Sequence, residues 1–451
     1  MRKNDRVVLT ITGMTAEGLG VGRYENMAVF VPNSAIGDVA NVLIVKVLKK
    51  YCFGKIIDFI KQSDHRTEPD CPVFSQCGGC SYRHISYAAE CDIKHQRVLD
   101  VIGRIAKSEA EVLPIMGSDR LDGYRNKAQY PVGNSDNGIY TGFYALHSHR
   151  IVKCDDCKLQ PTEFKDILDV IRNYAHKNGV SAYDEALNSG VLRHIYIRKA
   201  EKTNQLMVCL VINGERLPNE NNLCHSLIKV NENIKSIVVN INQNKTNVIL
   251  GEKCRTLYGD DHITDILCDV KVKLSPLSFY QVNRNMAQQL YKVAAEFAQP
   301  RGKTVLDLYC GAGTIGLSMA CLAKQIIGVE IVPEAIEDAK FNAKANGIEN
   351  AEFYCGDALF AAKQLAQKDI HPDVVVLDPP RKGIDSQLVD IITDEFAPER
   401  VVYVSCDPAT LARDIFLFEQ KGYKAIKVQP VDLFPRTPHV ESVALLTKSR
   451  H

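Results

Sequence analysis

Apolar and polar residues alternate differently along three successive stretches of the chain. Between residues 6 and 60, short apolar runs are separated by glycine-containing turns, a pattern that predicts a small β-barrel. The next stretch mixes helical and strand patterns, including an amphipathic helix at 93–106 and a helix at 164–178. After residue 275, apolar strands and helices alternate regularly, which predicts βαβ units around a parallel sheet.

These patterns predict an α/β protein with three domains. A β-barrel occupies residues 1–62, a central α+β domain 63–272, and a Rossmann-like α/β domain 273–451. The helix at 93–106 lies in the central domain by sequence, and we expect it to pack on the C-terminal domain.

A glycine-rich turn follows the first strand of the α/β domain. Gly311, Gly313 and Gly316 match the pattern G-x-G-x-x-G, which lets a ligand lie against the backbone. Glu330 ends the next strand about twenty residues later, where a carboxylate can accept hydrogen bonds from ribose hydroxyls. Taken alone, this turn also fits a nicotinamide-binding enzyme.

Two further strands end in reactive side chains. The strand at 374–377 is followed by Asp378 and two prolines, and the strand at 401–405 by Cys406 and an Asp-Pro break. The carboxyl ends of parallel strands meet at one edge of a sheet, so we expect the acid and the thiol to lie close together. A lone cysteine is more often a packing residue, and prolines alone indicate only a turn. Neither explanation accounts for an acid one strand away from a thiol.

Three cysteines lie within ten residues: Cys71, Cys77 and Cys80, the last two bracketing a Gly-Gly pair. The chain has 15 cysteines, an odd number that argues against a disulfide framework. All-thiolate ligation is typical of zinc and of iron–sulfur clusters, and a closed site needs a fourth ligand. Cys154 or Cys157 can supply it. Spacing does not choose between these two cysteines, or between zinc and iron.

Composition adds few constraints. The chain has 451 residues, 45% of them hydrophobic and 24% charged, with a formal net charge of +1 that does not by itself indicate a nucleic-acid partner. No apolar run reaches the length of a membrane span, and the N-terminus lacks the apolar stretch of a signal peptide. We therefore expect a cytoplasmic protein without membrane contact, acting as a monomer.

Contacts with RNA would come from local patches, namely Lys46, Lys49, Lys50 and Lys55 in the barrel and the aromatic-basic run at 123–132.

In combination, these motifs resemble the S-adenosylmethionine-dependent RNA 5-methyluridine methyltransferases. The resemblance is greatest to the branch that modifies 23S rRNA and carries an OB-like TRAM barrel and an iron–sulfur cluster. The motifs that carry it are the glycine-rich barrel sequence at 17–23, the cysteine loop at 71–80, Phe-Tyr-Gln-Val-Asn at 279–283, Asp-Leu-Tyr-Cys-Gly-Ala-Gly at 307–313, Asp-Pro-Pro-Arg-Lys-Gly at 378–383, Ser-Cys-Asp-Pro at 405–408 and His-Val-Glu at 439–441.

The resemblance implies a role for each of several residues. A [4Fe–4S] cluster, with zinc as the alternative, is implied on Cys71, Cys77, Cys80 and Cys157, whose Cys-x-Leu context matches better than that of Cys154. Contacts to the S-adenosylmethionine donor are implied at Gln281, Tyr309, Glu330 and Asp378, and contacts to the uracil at Asp378 and Gln281. Cys406 is implied as the nucleophile and Glu441 as the base that removes a proton.

Uracil chemistry explains why a cysteine is needed. C5 of uracil is a poor nucleophile until a thiolate adds to C6, and a base must afterwards remove the C5 proton. We therefore predict methyl transfer to C5 of a uridine in 23S rRNA. One alternative is a tRNA uracil-5 methyltransferase, whose bacterial members typically lack the barrel with its cysteine loop. A non-catalytic RNA-binding iron–sulfur protein is another, but it leaves Cys406, Glu441 and Asp378 without a role.

Overall fold

The structure, a computed structural model, describes residues 1–136 and 138–449. Its strands are β1 (Arg6–Thr10), β2 (Gly13–Met14), β3 (Gly20–Tyr24), β4 (Met27–Val31), β5 (Val39–Val47), β6 (Tyr51–Lys61), β7 (Glu111–Val112), β8 (Lys127–Ser135), β9 (Gly138–Tyr144), β10 (Ile151–Lys153), β11 (Leu192–Lys199), β12 (Leu206–Ile212), β13 (Ile234–Ile241), β14 (Lys253–Gly259), β15 (Ile263–Leu267), β16 (Val270–Leu274), β17 (Thr304–Leu308), β18 (Gln325–Glu330), β19 (Ala351–Cys355), β20 (Val374–Leu377), β21 (Arg400–Ser405), β22 (Tyr423–Val431) and β23 (Glu441–Lys448). Its helices are α1 (Tyr87–Val101), α2 (Glu163–Asn178), α3 (Glu220–Val230), α4 (Arg284–Ala298), α5 (Thr314–Met319), α6 (Pro333–Ala345), α7 (Ala358–Gln367), α8 (Ser386–Asp390) and α9 (Pro408–Gln420), with wider π-helical turns at Ile102–Ala106 and Ile391–Phe396 continuing α1 and α8.

The N-terminal strands form one sheet in the order β1-β5-β6-β4-β3-β2. Buried and more exposed side chains alternate along β1 and most of β5, as expected for strands with one face on a core. The inward side chains, among them Leu9, Val29, Val42 and Ile44, form a hydrophobic core of their own. The β-structure predicted for the first 60 residues is therefore confirmed.

The central strands form a second sheet in the order β10-β9-β8-β11-β12-β13-β14. Helices α2 and α3 pack on one face, and α2 confirms the helix predicted at 164–178. The other face meets the C-terminal part of the chain, since Tyr196 and Met207 share a core with Leu290 and Ala294 of α4. Strand β12 is buried along its whole length because both faces of the sheet are covered.

The C-terminal sheet has the order β19-β18-β17-β20-β21-β23-β22-β7. Strands β17 to β21 run parallel, and β23 returns antiparallel to β21. Successive strands extend the sheet first to one side of β17 and then, from β20, to the other. Such a reversal opens a crevice at the carboxyl ends of the strands, where α/β proteins bind their ligands. The predicted Rossmann-like fold class is confirmed.

Helix α1 differs from its prediction at the N-terminus. The pattern placed its start at residue 93, but the helix begins at Tyr87, because the Ser86 hydroxyl accepts a hydrogen bond from the N–H of Ala89 at 3.3 Å. A serine before a helical turn is the usual form of such a cap, and the sequence prediction missed it.

The end of α1 and strand β7 join the C-terminal sheet. Ile102 and Ala106 pack in the same core as Leu411 and Phe418 of α9, and β7 pairs in parallel with β22. Residues far from the C-terminal half in sequence therefore complete its sheet, and the predicted domain boundaries stay predictions. None of the helices in the described ranges is long and apolar enough to cross a membrane.

Candidate active site

A cleft of about 1090 Å³ opens where β17, β18, β20 and β21 end and β23 begins. The side chains predicted for donor binding and catalysis all line it: Gln281, Tyr309, Glu330, Asp378, Cys406 and Glu441. The structure thus brings together residues that span 160 positions of the sequence, as the strand-edge argument predicted for Asp378 and Cys406. The predicted cysteine ligands do not line this cleft but a second cavity.

The position of Cys406 is fixed by the turn between β21 and α9. Asp407 caps α9, and its carboxylate accepts hydrogen bonds from the N–H groups of Ala409 and Thr410 at 3.0 and 2.9 Å. The Ser405 hydroxyl accepts a further hydrogen bond from the Asp407 N–H at 3.1 Å. The thiol is therefore held at the edge of the cleft by backbone that the helix cap keeps in place.

The surroundings of Cys406 favour its neutral form. Burial raises the pKa of its thiol to about 11, and the nearby carboxyls of Glu441 and Asp378 contribute to the rise. The positive charge of the Arg381 guanidinium acts in the opposite direction. A thiolate at this position therefore depends on positive charge in the cleft.

Glu441 is the first residue of β23 and is only 3% exposed. Its neighbour Ser442 is paired with Ser405 in the sheet, so Glu441 and Cys406 leave adjacent strands at the same edge. Burial raises the pKa of Glu441 to about 8, with a further contribution from Asp378 and an opposing one from the Arg381 guanidinium. Burial alone raises the pKa of Asp378 to about 7.

The glycine-rich turn depends on Asp307, which lies inside β17. Its Oδ2 atom accepts a hydrogen bond from the Gly316 N–H at 2.9 Å, and burial raises its pKa to about 7. A Cβ atom on Gly316 would lie 2.9 Å from that oxygen and 2.8 Å from the Ile326 side chain, so only glycine fits. Gly313 adopts a φ of +77°, which also favours glycine.

Glu330 lies at the end of β18, facing this turn. One carboxylate oxygen accepts a hydrogen bond from the Gly311 N–H at 3.1 Å, and the other from the Val332 N–H at 3.0 Å. Both bonds hold the carboxylate beside the turn, at the position where a ribose would lie in a Rossmann-like fold. Asp357, after β19, lines the same part of the cleft.

The opposite wall of the cleft contains Gln281 and is held by the central sheet. The buried Arg198 side chain donates to the carbonyl oxygens of Ser275 and Ser278, both at 2.7 Å. The Asn126 side-chain amide donates to the Gln281 carbonyl at 2.9 Å. The sequence pattern indicated no role for this central sheet, but the structure shows that it builds one side of the cleft.

The predicted cysteine ligands line a separate cavity of about 80 Å³: Cys71, Cys77, Cys80, Cys154 and Cys157 all contribute to it. The set contains both candidates for the fourth ligand, so the structure does not choose between them. Burial raises the pKa of the Cys77 and Cys80 thiols to about 11. In the described part of the chain, no three cysteine, histidine or acidic side chains are arranged to hold a metal ion, and the metal site stays a prediction.

Four basic residues line the cleft: Arg125, Lys127, Arg381 and Lys382. Arg125 and Lys127 belong to the run at 123–132 that was predicted to contact RNA, whereas Arg381 and Lys382 were missed, because their motif was interpreted through Asp378. For Arg381 a signal was available, since it lies three residues after the predicted uracil-binding acid.

Comparison with known proteins agrees with this geometry. The family model described as tRNA (Uracil-5-)-methyltransferase matches residues 86–449, and the TRAM domain model matches residues 3–57. Proteins named uncharacterized RNA methyltransferase are 45% identical in Halalkalibacterium halodurans and 42% identical in Clostridium tetani. Both cover 99% of this chain, and the chain covers 98% and 97% of them, respectively.

A solved structure matches nearly the whole chain. The crystal structure of Pyrococcus abyssi tRNA (uracil-54, C5)-methyltransferase in complex with S-adenosyl-L-homocysteine has a TM-score of 0.77 and 26% sequence identity. The match covers 98% of this chain and 100% of that one. Together with the family models, it identifies the chain as a TRAM-containing, S-adenosylmethionine-dependent RNA methyltransferase that belongs to the tRNA (uracil-5-)-methyltransferase family.

Proposed function

We propose that this protein transfers a methyl group from S-adenosylmethionine to C5 of a uridine in 23S rRNA. The observation that carries the proposal is the convergence of Cys406, Asp378 and Glu441 in one cleft beside the glycine-rich turn. Methylation at C5 needs a nucleophile for C6, a group that holds the pyrimidine edge and a base for the C5 proton. Each need is matched by one of these three side chains.

The donor site is the half of the cleft next to the glycine-rich turn. When bound, S-adenosylmethionine supplies an electrophilic methyl group on a positively charged sulfur. The residues fit this cofactor. Gly311 has no side chain, so a ligand can approach its backbone closely, and Glu330 is held beside it to accept hydrogen bonds from the ribose hydroxyls. Tyr309, Gln281 and Asp378 complete the wall around the donor.

The reaction begins with Cys406. Its thiolate adds to C6 of the uracil, and the electron pair of the C5–C6 double bond moves toward the C4 carbonyl to form an enolate. Asp378 accepts a hydrogen bond from uracil N3–H and so orients the ring. The Arg381 guanidinium favours the thiolate and thereby helps the addition. C5 then carries the negative charge that accepts the methyl group.

Glu441 completes the reaction. It takes the C5 proton, the double bond forms again, and the C6–S bond breaks with its electron pair on sulfur. A carboxylate whose conjugate acid has a pKa of about 8 is a stronger base than an ordinary glutamate, which suits this proton transfer. The uridine reaches both side chains only after it has left its stack, since C6 is inaccessible inside a helix.

The choice of 23S rRNA rests on the resemblance of the motifs, in particular the barrel with its cysteine loop. tRNA remains the second candidate. The Pyrococcus abyssi structure is that of a tRNA (uracil-54, C5)-methyltransferase, and it matches this chain over nearly its whole length. The presence of N-terminal domains before the catalytic domain therefore does not by itself distinguish an rRNA methyltransferase from a tRNA methyltransferase.

The function is tested with RNA that contains 5-fluorouridine, whose C5 fluorine cannot be removed as a proton. We expect a 23S rRNA transcript of this kind to form a stable covalent complex with the protein in the presence of S-adenosylmethionine, detected by denaturing gel. The complex should be absent in Cys406→Ala and present in Cys321→Ala, which removes an exposed cysteine outside the cleft. An equal yield in both variants would refute Cys406 as the nucleophile. A complex formed with tRNA transcripts but not with the rRNA transcript would identify tRNA as the substrate instead of 23S rRNA.

We further propose that the second cavity holds a [4Fe–4S] cluster on Cys71, Cys77, Cys80 and Cys157. The support is chemical: thiols from two separate loops line one cavity, and the loops have the donor type that iron–sulfur clusters require.

Iron and sulfide analysis of anaerobically purified protein tests the cluster. We expect both elements and a brown absorbance, and their loss in Cys77→Ser but not in Cys91→Ser, which lies outside the cavity. Comparison of Cys154→Ser with Cys157→Ser identifies the fourth ligand, which we expect to be Cys157. Zinc without sulfide would contradict the cluster and leave the methyltransferase proposal untouched.

A further inference from the structure

Four cations line the catalytic cleft, and within residues 1–136 and 138–449 none of them forms an ion pair with a carboxylate. They are Arg125, Lys127, Arg381 and Lys382, which we call the cation row. Some other basic side chains have acidic partners, for example Lys94 and Arg66, whereas the buried Arg198 donates to backbone carbonyls. Unpaired cations in a cleft attract anions from solution.

Alternation along the chain explains how Arg125 and Lys127 reach the cleft. Side chains two positions apart in an extended segment point to the same side, and those between point to the other. On the side facing away from Arg125 and Lys127, the Tyr124 hydroxyl donates to the Pro435 carbonyl at 2.9 Å. The Asn126 side-chain amide donates to the Gln281 carbonyl at 2.9 Å. The buried anchors at 124 and 126 thus fix the two cations in the wall of the cleft.

Positive charge dominates the surroundings of Lys127 in this wall. Burial lowers the pKa of Lys127 to about 8, and the positive charges of Arg198 and Arg125 lower it further. The Nε–H of Arg125 is buried without a hydrogen-bond partner. Enclosed like charges without a counter-charge are unfavourable. A bound anion would remove this cost.

The cation row extends toward the reactive thiol. Arg381 and His439 line the cleft together with Cys406. Burial lowers the pKa of His439 to about 4, and the positive charges of Arg381, Arg97, Lys94 and Arg125 lower it further, so the imidazole is neutral. The positive charge of Arg381 also opposes the rise in the pKa of the Cys406 thiol. A chain of anionic groups lying along this row would pass directly beside the nucleophile.

We propose that Arg125 and Lys127 bind a phosphodiester of the RNA strand next to the nucleotide that enters the cleft. This proposal rests on the proposed function, because it assumes that RNA is the substrate. The carboxylate of S-adenosylmethionine is also an anion, but the donor site lies at the glycine-rich turn of the C-terminal sheet. Arg125 and Lys127 belong to the opposite wall, at the start of the central sheet and away from the glycine-rich turn. Gln281 lies in the same wall, so the test also measures the affinity for the donor.

The test measures binding of dodecauridylate, a single-stranded RNA probe, at increasing NaCl concentrations. Removing one cation that binds a phosphate should reduce the slope of log Kd against log salt by about 0.7. We expect this reduction and a several-fold weaker Kd in Lys127→Met and in Arg125→Met. Lys127→Arg keeps the charge and should retain most of the slope. Lys229→Met on α3, which lies outside the cleft, is the matched control and should change neither quantity.

Two results would overturn the proposal. Unchanged salt slopes in both methionine variants would mean that these cations do not contact phosphate. Weaker S-adenosylmethionine affinity, measured by calorimetry, with unchanged RNA binding would assign them to the donor carboxylate instead. Neither result depends on the 5-fluorouridine complex of the wild-type protein, so failure of this proposal and failure of the methyltransferase function are distinguishable.

Discussion

Asp307, buried inside β17, and the cleft residues Asp378 and Glu441 share one property that follows from burial. The pKa of each is raised, to about 7, about 7 and about 8. Water around an open carboxylate would keep these values low, but the cleft replaces water with apolar side chains and with other acids. The cleft is therefore better suited to a ligand that brings positive charge, as a sulfonium does.

Replacement of Glu441 should separate the two halves of the reaction. Glu441→Gln keeps the shape of the side chain but cannot take the C5 proton, so we expect methylated RNA to stay attached to Cys406. Release should slow by about 10²- to 10⁴-fold, the usual contribution of a general base. Denaturing gels with unmodified RNA and labelled methyl donor would show the adduct. Full turnover would exclude Glu441 as the base.

The same substitution has a predicted effect on stability. Because the pKa of Glu441 is higher in the folded protein than in the unfolded chain, the folded state binds more protons between about pH 4 and pH 8. The stabilisation that Glu441 contributes to the folded state is fully present below that pH range and is lost as the pH rises through it. Glu441→Gln should therefore raise the free energy of unfolding at pH 9, by about 1 to 3 kcal/mol, and change it little at pH 4. Urea unfolding at both pH values measures this difference, and an equal effect at each pH would contradict it.

At the scale of elements, α1 and the segment between β22 and β23 are joined by buried charges. The Lys94 ammonium, 1% exposed, donates to Glu90 at 2.6 Å, to Asp432 at 2.7 Å and to the Phe434 carbonyl at 3.2 Å. The Tyr87 hydroxyl donates to the second oxygen of Asp432 at 2.8 Å. This segment leads directly into Glu441, so α1 fixes the path of the chain that places the base.

Removal of the central charge should be costly. Lys94→Met removes the buried ammonium that Glu90 and Asp432 share, and breaking one side of a buried ion pair costs about 3 to 5 kcal/mol. Urea unfolding should show this loss, whereas Lys340→Met, which breaks an exposed pair with Glu337, should change stability by less than about 1 kcal/mol. If Lys94→Met were as stable as the wild type, the network would not hold the segment.

At the scale of the whole molecule, predictions from sequence succeeded where the signal is local. Strands β20 and β21 have continuous apolar runs, and each is followed by a residue of distinct chemistry, Asp378 and Cys406. Both the strands and their shared edge therefore followed from the pattern. Contacts between distant segments gave no such signal. Lys94 and Asp432 are separated by 338 positions, and nothing near either residue indicates the other.

The placement of the cations shows the same limit. The run at 123–132 was recognised as suitable for RNA. The sequence pattern did not show which of its side chains face the cleft: those at 124 and 126 face inward, whereas those at 125 and 127 line the cleft. The contribution of the central sheet to the wall opposite the donor was missed for a similar reason. It depends on packing between two sheets, which apolar periodicity does not encode.

The pairing of β7 with β22 has a consequence for the order in which the protein can form. Residues 111 and 112 leave the ribosome more than 300 positions before β22 is complete, and α1 emerges even earlier without the ion-pair partner supplied by Asp432. The segment from α1 to β7 must therefore wait until β22 and Asp432 have been translated. Until then Lys94 remains in water and β7 remains unpaired. Completion of the catalytic sheet therefore depends on translation of β22 and β23 rather than on any earlier part of the chain.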